Sequence, residues 1–240
     1  MAALRPVAWV GGGGDETGRP EPVSELEIRP YRAADRGRVR LVCYETGFMG
    51  ESPAWFWRDQ ESFADLFCGW WTDHAPESAL VAELDGQVAG YLLGCEDSRR
   101  AGNEAAVFLR HFIGRACGVR RGTAGVFWRM LGDAPLDALR HQLPPTRVWD
   151  ERWPAHLHID LLPECRGRGA GALLVRQWLD RLRDRDIAGC HLQTMAENAG
   201  AIAFFEGMGF RQHGGPANAP GFRTRDSGRM HVQLMVQTFA

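Results

Sequence analysis

The chain has 240 residues, 45% of them hydrophobic, enough to bury the core of one large domain. Its formal net charge of −2 leaves no electrostatic footprint for nucleic acid or an anionic membrane surface. All 28 basic residues are arginine, which excludes lysine Schiff-base chemistry and a phosphate-loop lysine.

Cys43, Cys68, Cys95, Cys117, Cys165 and Cys190 are scattered, with no C-x-x-C pair. That spacing argues against a zinc knuckle and predicts reduced thiols in a cytoplasmic protein. Neither a signal peptide nor a membrane-length apolar run is expected. Residues 1–24, through "GGGGDETGRPEP", read as a disordered leader.

"LEIRP" (Leu26 to Pro30) alternates as a first strand. Asp35 is placed to cap a helix that carries Val39, Val42, Cys43 and Thr46 on one face. Ser52 and Pro53 predict the start of a second helix. Its aromatics (Trp55, Phe56, Phe63, Phe67, Trp70 and Trp71) read as core rather than as a ligand box. "ALVAELDGQVAGYLLG" predicts a hairpin turning at Asp85-Gly86.

Residues 96–153 read as an irregular helical insertion, with "EAAVFLRHFIG", "AGVFWRML" and "PLDALRHQL" as helices. "HLHIDLL" is then a strand, followed by an amphipathic helix burying Ala172, Val175, Trp178, Leu179 and Leu182. "GCHLQTM", "NAGAIAFFEGMGF" and "RMHVQLMVQ" complete the pattern as strand, helix and strand. A hairpin followed by alternating strands and helices predicts a mixed α/β sheet in one domain, 25–240.

"HLHIDLLPECRGRGAGALL" (His156 to Leu174) holds the chemistry. On an extended strand His156, His158 and Asp160 share one face, and they are reasonable metal ligands. The run imitates H-x-H-x-D-H, but Leu161 stands where the last histidine belongs, and the strand enters a glycine turn. No metal is therefore expected; a polar patch or substrate pocket is. In Arg166-Gly167-Arg168-Gly169-Ala170-Gly171, small residues let backbone N–H groups approach an anion at a helix N-terminus. The pattern is neither a Rossmann fingerprint nor a Walker A loop.

R-G-R-G-A-G also fits the [QR]-x-x-G-x-[GA] motif of the GNAT superfamily of N-acetyltransferases, and "NAGAIAFFEGMGF" resembles its second signature. The resemblance runs from Leu26 to Val236 with 96–153 inserted. "PAHLHIDLLPE", "VCYETG" and "GYLLGCEDS" further resemble bacterial relatives of the acetyltransferase-like domain of O-GlcNAcases. The resemblance implies a mixed, mostly antiparallel central sheet flanked by helices, and acetyl-CoA as co-substrate.

It implies, too, that Leu161 and Leu162 pair with the pantetheine arm, and that backbone N–H groups from Arg168 to Gly171 hold the pyrophosphate. Asn198 would meet the pantetheine side, and an N–H near Ile159 would polarise the thioester carbonyl. The implied reaction is direct acetyl transfer to an amine of a small molecule or amino sugar, by a monomer or homodimer. The sequence departs from the family pattern twice. Phe205 stands where many members carry a tyrosine acid, and Gln193 where some place a glutamate base. Asp160, His158 and His156 are the nearest groups able to take the proton. A module that binds acetyl-CoA without chemistry is the alternative.

Overall fold

The computed structural model describes residues 25–100, 114–144 and 150–239. The leader 1–24 and all but the last residue of "EAAVFLRHFIG" lie outside the described residues. Seven strands form one sheet in the order β1-β2-β3-β4-β5-β7-β6. They are β1 (Leu26–Pro30), β2 (Ala79–Leu84), β3 (Gln87–Cys95), β4 (Ala155–Leu161), β5 (Gly189–Met195), β6 (Arg211–Arg223) and β7 (Arg229–Thr238). All neighbours are antiparallel except β4 and β5.

That exception shapes the molecule. β4 meets β5 only at Ala155↔Cys190 and His156↔His191, and beyond His156 no further pair forms. The sheet therefore opens along the C-terminal half of β4. One layer of helices covers each face. The first holds α1 (Arg36–Thr46), then α2 (Gln60–Ala64), a π turn (Asp65–Gly69) and α3 (Trp70–His74). The second holds α5 (Ala170–Arg183) and α6 (Ala199–Gly207), while α4 (Ala124–Leu139) lies against β6.

The sequence patterns explain these placements. On α1, Val39, Val42, Cys43 and Thr46 are buried, as their i, i+3, i+4, i+7 spacing requires. On α5, Leu174, Val175, Trp178, Leu179 and Leu182 are buried, while Ala172 is half-buried toward the opening. The β2–β3 hairpin turns at Asp85-Gly86, both at positive φ (50° and 78°), as a tight primed turn demands. Among the described residues no helix is long and apolar enough to cross a membrane.

Several local expectations are corrected. Asp35 turns its carboxylate back to Arg29 and to the backbone N–H of Arg32, not onto α1. Ser52 and Pro53 open only a short 3-10 turn, Pro53–Trp55; the helix starts at Gln60, where Asp59 accepts from the Ser62 N–H. "AGVFWRML" and "PLDALRHQL" belong to one helix, α4, which runs through Pro135. Two carboxylates one turn apart fasten it to the β6–β7 hairpin: Asp133 to Arg223 and the Gly221 N–H, Asp137 to Arg229 and Asn218. β6 has no counterpart among the sequence-predicted elements, and its Gly214, Gly215, Pro216 and Pro220 are residues that favour loops. Its two register shifts and its place at the sheet edge absorb them.

Candidate functional site

A cavity of about 920 Å³ runs through the opening between β4 and β5 and reaches both helical layers. Strand alternation sorts β4 across it. Leu157 and Leu161 face the α5–α6 layer, where a Cβ added to Gly171 of α5 would lie 3.0 Å from the Leu161 side chain. His156, His158 and Asp160 face the α1–α3 layer together, as their spacing requires.

The glycine motif occupies the α5 end. Gly167 and Gly169 have φ of 72° and 80°, the left-handed region where a side chain is strained, and a Cβ at either would point into open space. Gly169 is the N-cap of α5, and no side chain caps the helix. The first-turn N–H groups, from Ala170 onward, are thus presented to the cavity mouth with the positive end of the helix dipole. Gly171 is held close to Leu161 and to Phe204 of α6, 3.3 Å from its would-be Cβ. Asn198 caps α6, its Oδ1 accepting from Ala201 N–H at 3.0 Å, and it lines the cavity together with Phe204 and the buried Phe205.

The β4 backbone requires two corrections. Leu162 N–H donates to Ala89 O at 2.9 Å, so it belongs to the β3 ladder and is not open to a pantetheine arm. In an antiparallel pair the hydrogen-bonding residues alternate, so Asp160 and His158 also bond β3, and Ile159 and Leu161 turn their backbone groups toward the opening. The Leu161 carbonyl is already taken by Arg166, which donates from Nε (3.1 Å) and Nη2 (3.0 Å) and also reaches Gly50 O (2.8 Å). Arg166 thus ties the glycine turn to the α1–α2 connection and is no phosphate ligand in this arrangement. What remains open on β4 is Ile159 and the Leu161 N–H. The open turn, the uncapped helix and this strand edge fit an extended thioester carrier with a pyrophosphate at one end.

On the opposite wall the titratable residues form one network. Tyr91 of β3, opposite Asp160 in the ladder, donates its hydroxyl hydrogen to Asp160 Oδ2 at 2.5 Å. His158 Nε2 lies 3.1 Å from the Tyr91 oxygen and 3.2 Å from Asp160 Oδ2, and its ring also bonds Cys43 of α1. Burial opposes a charge on His158, but the Asp160 carboxylate and these hydrogen bonds outweigh it and push its pKa up to about 10. Burial pushes the Tyr91 hydroxyl and the Cys43 thiol far above their ordinary values, so both stay neutral.

His156 does not join the network. It stacks on Trp71 (5.2 Å between centroids) beside His191, and burial holds it neutral, well below its ordinary pKa. Cys43, His158 and Asp160 each offer one ligand atom within 4.8 Å of the others, a set that could hold a cation, though it is already knit together through Tyr91.

Sequence reasoning missed Tyr91 and Cys43. The one available signal for Tyr91 was a phenol inside an apolar strand, which must find a buried partner. The aromatic cluster is core as expected, with Phe56, Phe63 and Trp71 buried and Phe67 and Trp70 packed against them, but Trp55 is 37% exposed, and Phe63, Phe67 and Trp71 also line the cavity.

The comparisons bear on this geometry. Residues 139–210, which carry β4, the glycine turn, α5, β5 and α6, match the model of the Acetyltransferase (GNAT) family. The chain has the GNAT fold, and its residues 139–210 are similar to that family. The structure of SsHAT superposes with a TM-score of 0.58 at 27% identity, covering 90% of this chain and 98% of that one. The yncA protein of Salmonella typhimurium, solved with its cofactor acetyl-CoA, superposes with a TM-score of 0.52 at 15% identity, over 90% and 94% of the two chains, and so speaks to the GNAT fold alone. A [ribosomal protein bS18]-alanine N-acetyltransferase of Salmonella typhimurium is 34% identical over 65 residues. That match spans 27% of this chain and 43% of the relative's length.

Proposed function

We propose that the chain is an acetyl-CoA-dependent N-acetyltransferase of the cytoplasm that acts on a small-molecule amine, as a monomer or homodimer. The observation that carries the reading is the continuous cavity. It joins an uncapped helix N-terminus with left-handed glycines to a carboxylate network across a split sheet. The bS18-alanine enzyme takes a protein substrate. Here the far wall is closed by aromatic side chains from several elements, which favours a small acceptor over a protein terminus. The bacterial relatives of O-GlcNAcase remain the finer likeness, through "PAHLHIDLLPE", "VCYETG" and "GYLLGCEDS".

Acetyl-CoA would supply the activated acyl group. Backbone N–H groups of the Arg168–Gly171 turn and of α5 hold its pyrophosphate, and the open edge at Ile159 and Leu161 aligns its arm. The Ile159 N–H faces the place where carbonyl charge develops. The amine nitrogen bonds to the acyl carbon as the carbon–sulfur bond breaks. An ammonium acceptor first loses a proton to Asp160, the carboxylate that Tyr91 and His158 hold in place. The second proton leaves nitrogen during transfer and reaches the departing sulfur through solvent, because Phe205 has none to give. Asp160 is the catalytic residue of this reading. His158 and Tyr91 are positioning residues, and His156, held neutral against Trp71, lies outside their network.

Calorimetry with acetyl-CoA, followed by release of free CoA thiol on adding primary amines, tests the proposal. Saturable binding with amine-dependent thiol release and an acetylated product is the expected result. Binding without transfer to any amine would instead favour the acetyl-CoA-binding module, the reading that Phe205 and Gln193 support. Absence of binding rejects both.

A further inference from the structure

The acceptor half of the cavity differs in chemistry from what an amino sugar or a polyamine needs. Its walls are Phe63 of α2, Phe67 of the π turn, Trp71 of α3 and Phe222 of β6. Phe63 and Phe67 lie 4.5 Å apart between centroids, and Phe67 and Phe222 lie 6.3 Å apart, so the rings form one apolar surface. The π turn that carries Phe67 is fixed rather than loose: Asp65 accepts from Arg40 at 2.7 Å and from Arg115 at 3.2 Å. Insertion of a π turn within a short helix shifts the following side chains around the axis, a recurrent device at ligand sites.

The polar groups on this side are few. Thr46 donates its hydroxyl hydrogen to Val42 O at 2.7 Å, Gln193 is exposed at the rim near Thr194, and His156 lies stacked on Trp71 with its Nδ1 unpartnered. His158 is bonded to Cys43, Tyr91 and Asp160. Among the described residues Asp160 alone brings a carboxylate, half-buried, to the floor of the apolar chamber. A pyranose ring would find little beyond His156, Thr194 and Gln193 for its several hydroxyls among walls that are otherwise aromatic, at a large desolvation cost. A polyamine would find one carboxylate, already paired with His158, for several positive charges.

We propose that the acceptor is a primary aryl or arylalkyl amine, its ring set against Phe67, Trp71 and Phe222 and its nitrogen directed to Asp160. The assignment rests on the acetyltransferase reading and names the substrate class of that same site. Such a ligand matches the chamber group for group. Its ring replaces water on the aromatic surface, and its single nitrogen meets the single carboxylate.

The test compares 2-phenylethylamine, aniline, glucosamine and spermidine with the full chain, by CoA release and product mass. Binding of each amine to the protein–CoA complex is measured separately by calorimetry. We expect kcat/KM for one or both aromatic amines to exceed those for glucosamine and spermidine by at least about tenfold. Phe67→Ala should raise KM for the aromatic amine by about tenfold and leave acetyl-CoA affinity unchanged, with Phe67→Leu intermediate if the alanine variant does not fold. Preference for glucosamine or spermidine overturns the assignment while leaving the acetyltransferase reading intact. So does failure of both aromatic amines to bind the CoA complex, whether or not other amines turn over. Failure of acetyl-CoA itself to bind overturns the reading beneath it.

Discussion

The two walls of the cavity are built on opposite plans. The wall that the proposed function assigns to the cofactor comes mainly from the stretch Ile159 to Gly171, with Asn198 and Phe204 beside it, and uses mainly backbone: an open strand edge, two left-handed glycines and a bare helix N-terminus. The wall that the proposed function assigns to the acceptor is assembled from side chains of α1, α2, the π turn, α3, β4, β5 and β6, brought together only by the fold. Backbone recognition tolerates almost any side chain that leaves room, and so persists as a short motif. Side-chain recognition can be rebuilt residue by residue without disturbing the first wall.

The sharpest way to separate the walls is Asp160→Asn. A positioned base contributes about 10²–10⁴-fold, so kcat/KM should fall by that factor, while acetyl-CoA affinity measured by calorimetry stays at the wild-type value. Loss of folding would make Asp160 a structural residue. A folded and fully active variant would remove it from the reaction.

The complementary break is in the other wall. Gly171→Asp must push against Leu161 and Phe204, and Gly169→Asp places a strained carboxylate at φ 80° beside the pyrophosphate turn. Either should weaken acetyl-CoA binding at least about tenfold by calorimetry, with acceptor-side stacking unaltered. Unchanged affinity in a folded variant would move the cofactor elsewhere.

A smaller effect lies in pH. His158 faces Cys43 from α1, Tyr91 from β3 and Asp160 on its own strand, and its pKa is raised from 6.5 to about 10. Its stabilising contribution is complete below pH 6.5 and is lost as pH rises toward 10, because the folded chain holds a proton there that the unfolded chain has released. His156 acts in the opposite direction: its pKa is depressed, so its contribution is complete above 6.5 and is lost on acidification. Tm should therefore decline by several degrees between pH 7 and 10 in wild type, and decline less in Asp160→Asn. Equal alkaline slopes by thermal denaturation would place the proton elsewhere.

The contrast between the walls also explains what could be read in advance. The glycine turn, the amphipathic face of α5 and the alternation of His156, His158 and Asp160 are local patterns, and each keeps its meaning without knowledge of the fold. Tyr91 and Cys43 join the network only through the β3–β4 register and the packing of α1, which depend on contacts tens of residues away. Phe67 reads as core because an aromatic at helical spacing is usually core. The π turn and the opening of the sheet turn it toward a cavity. β6 was hidden for the converse reason, since its glycines and prolines carry local loop signals that edge position and two register shifts override.

Arg166 spans both walls, and under the proposed function its consequence is a coupling between them. A single guanidinium fastens the glycine turn to Gly50, next to Met49, which borders the other half of the cavity. What settles on the turn and what settles in the chamber then share one fastening, and such a coupling acts equally in both directions.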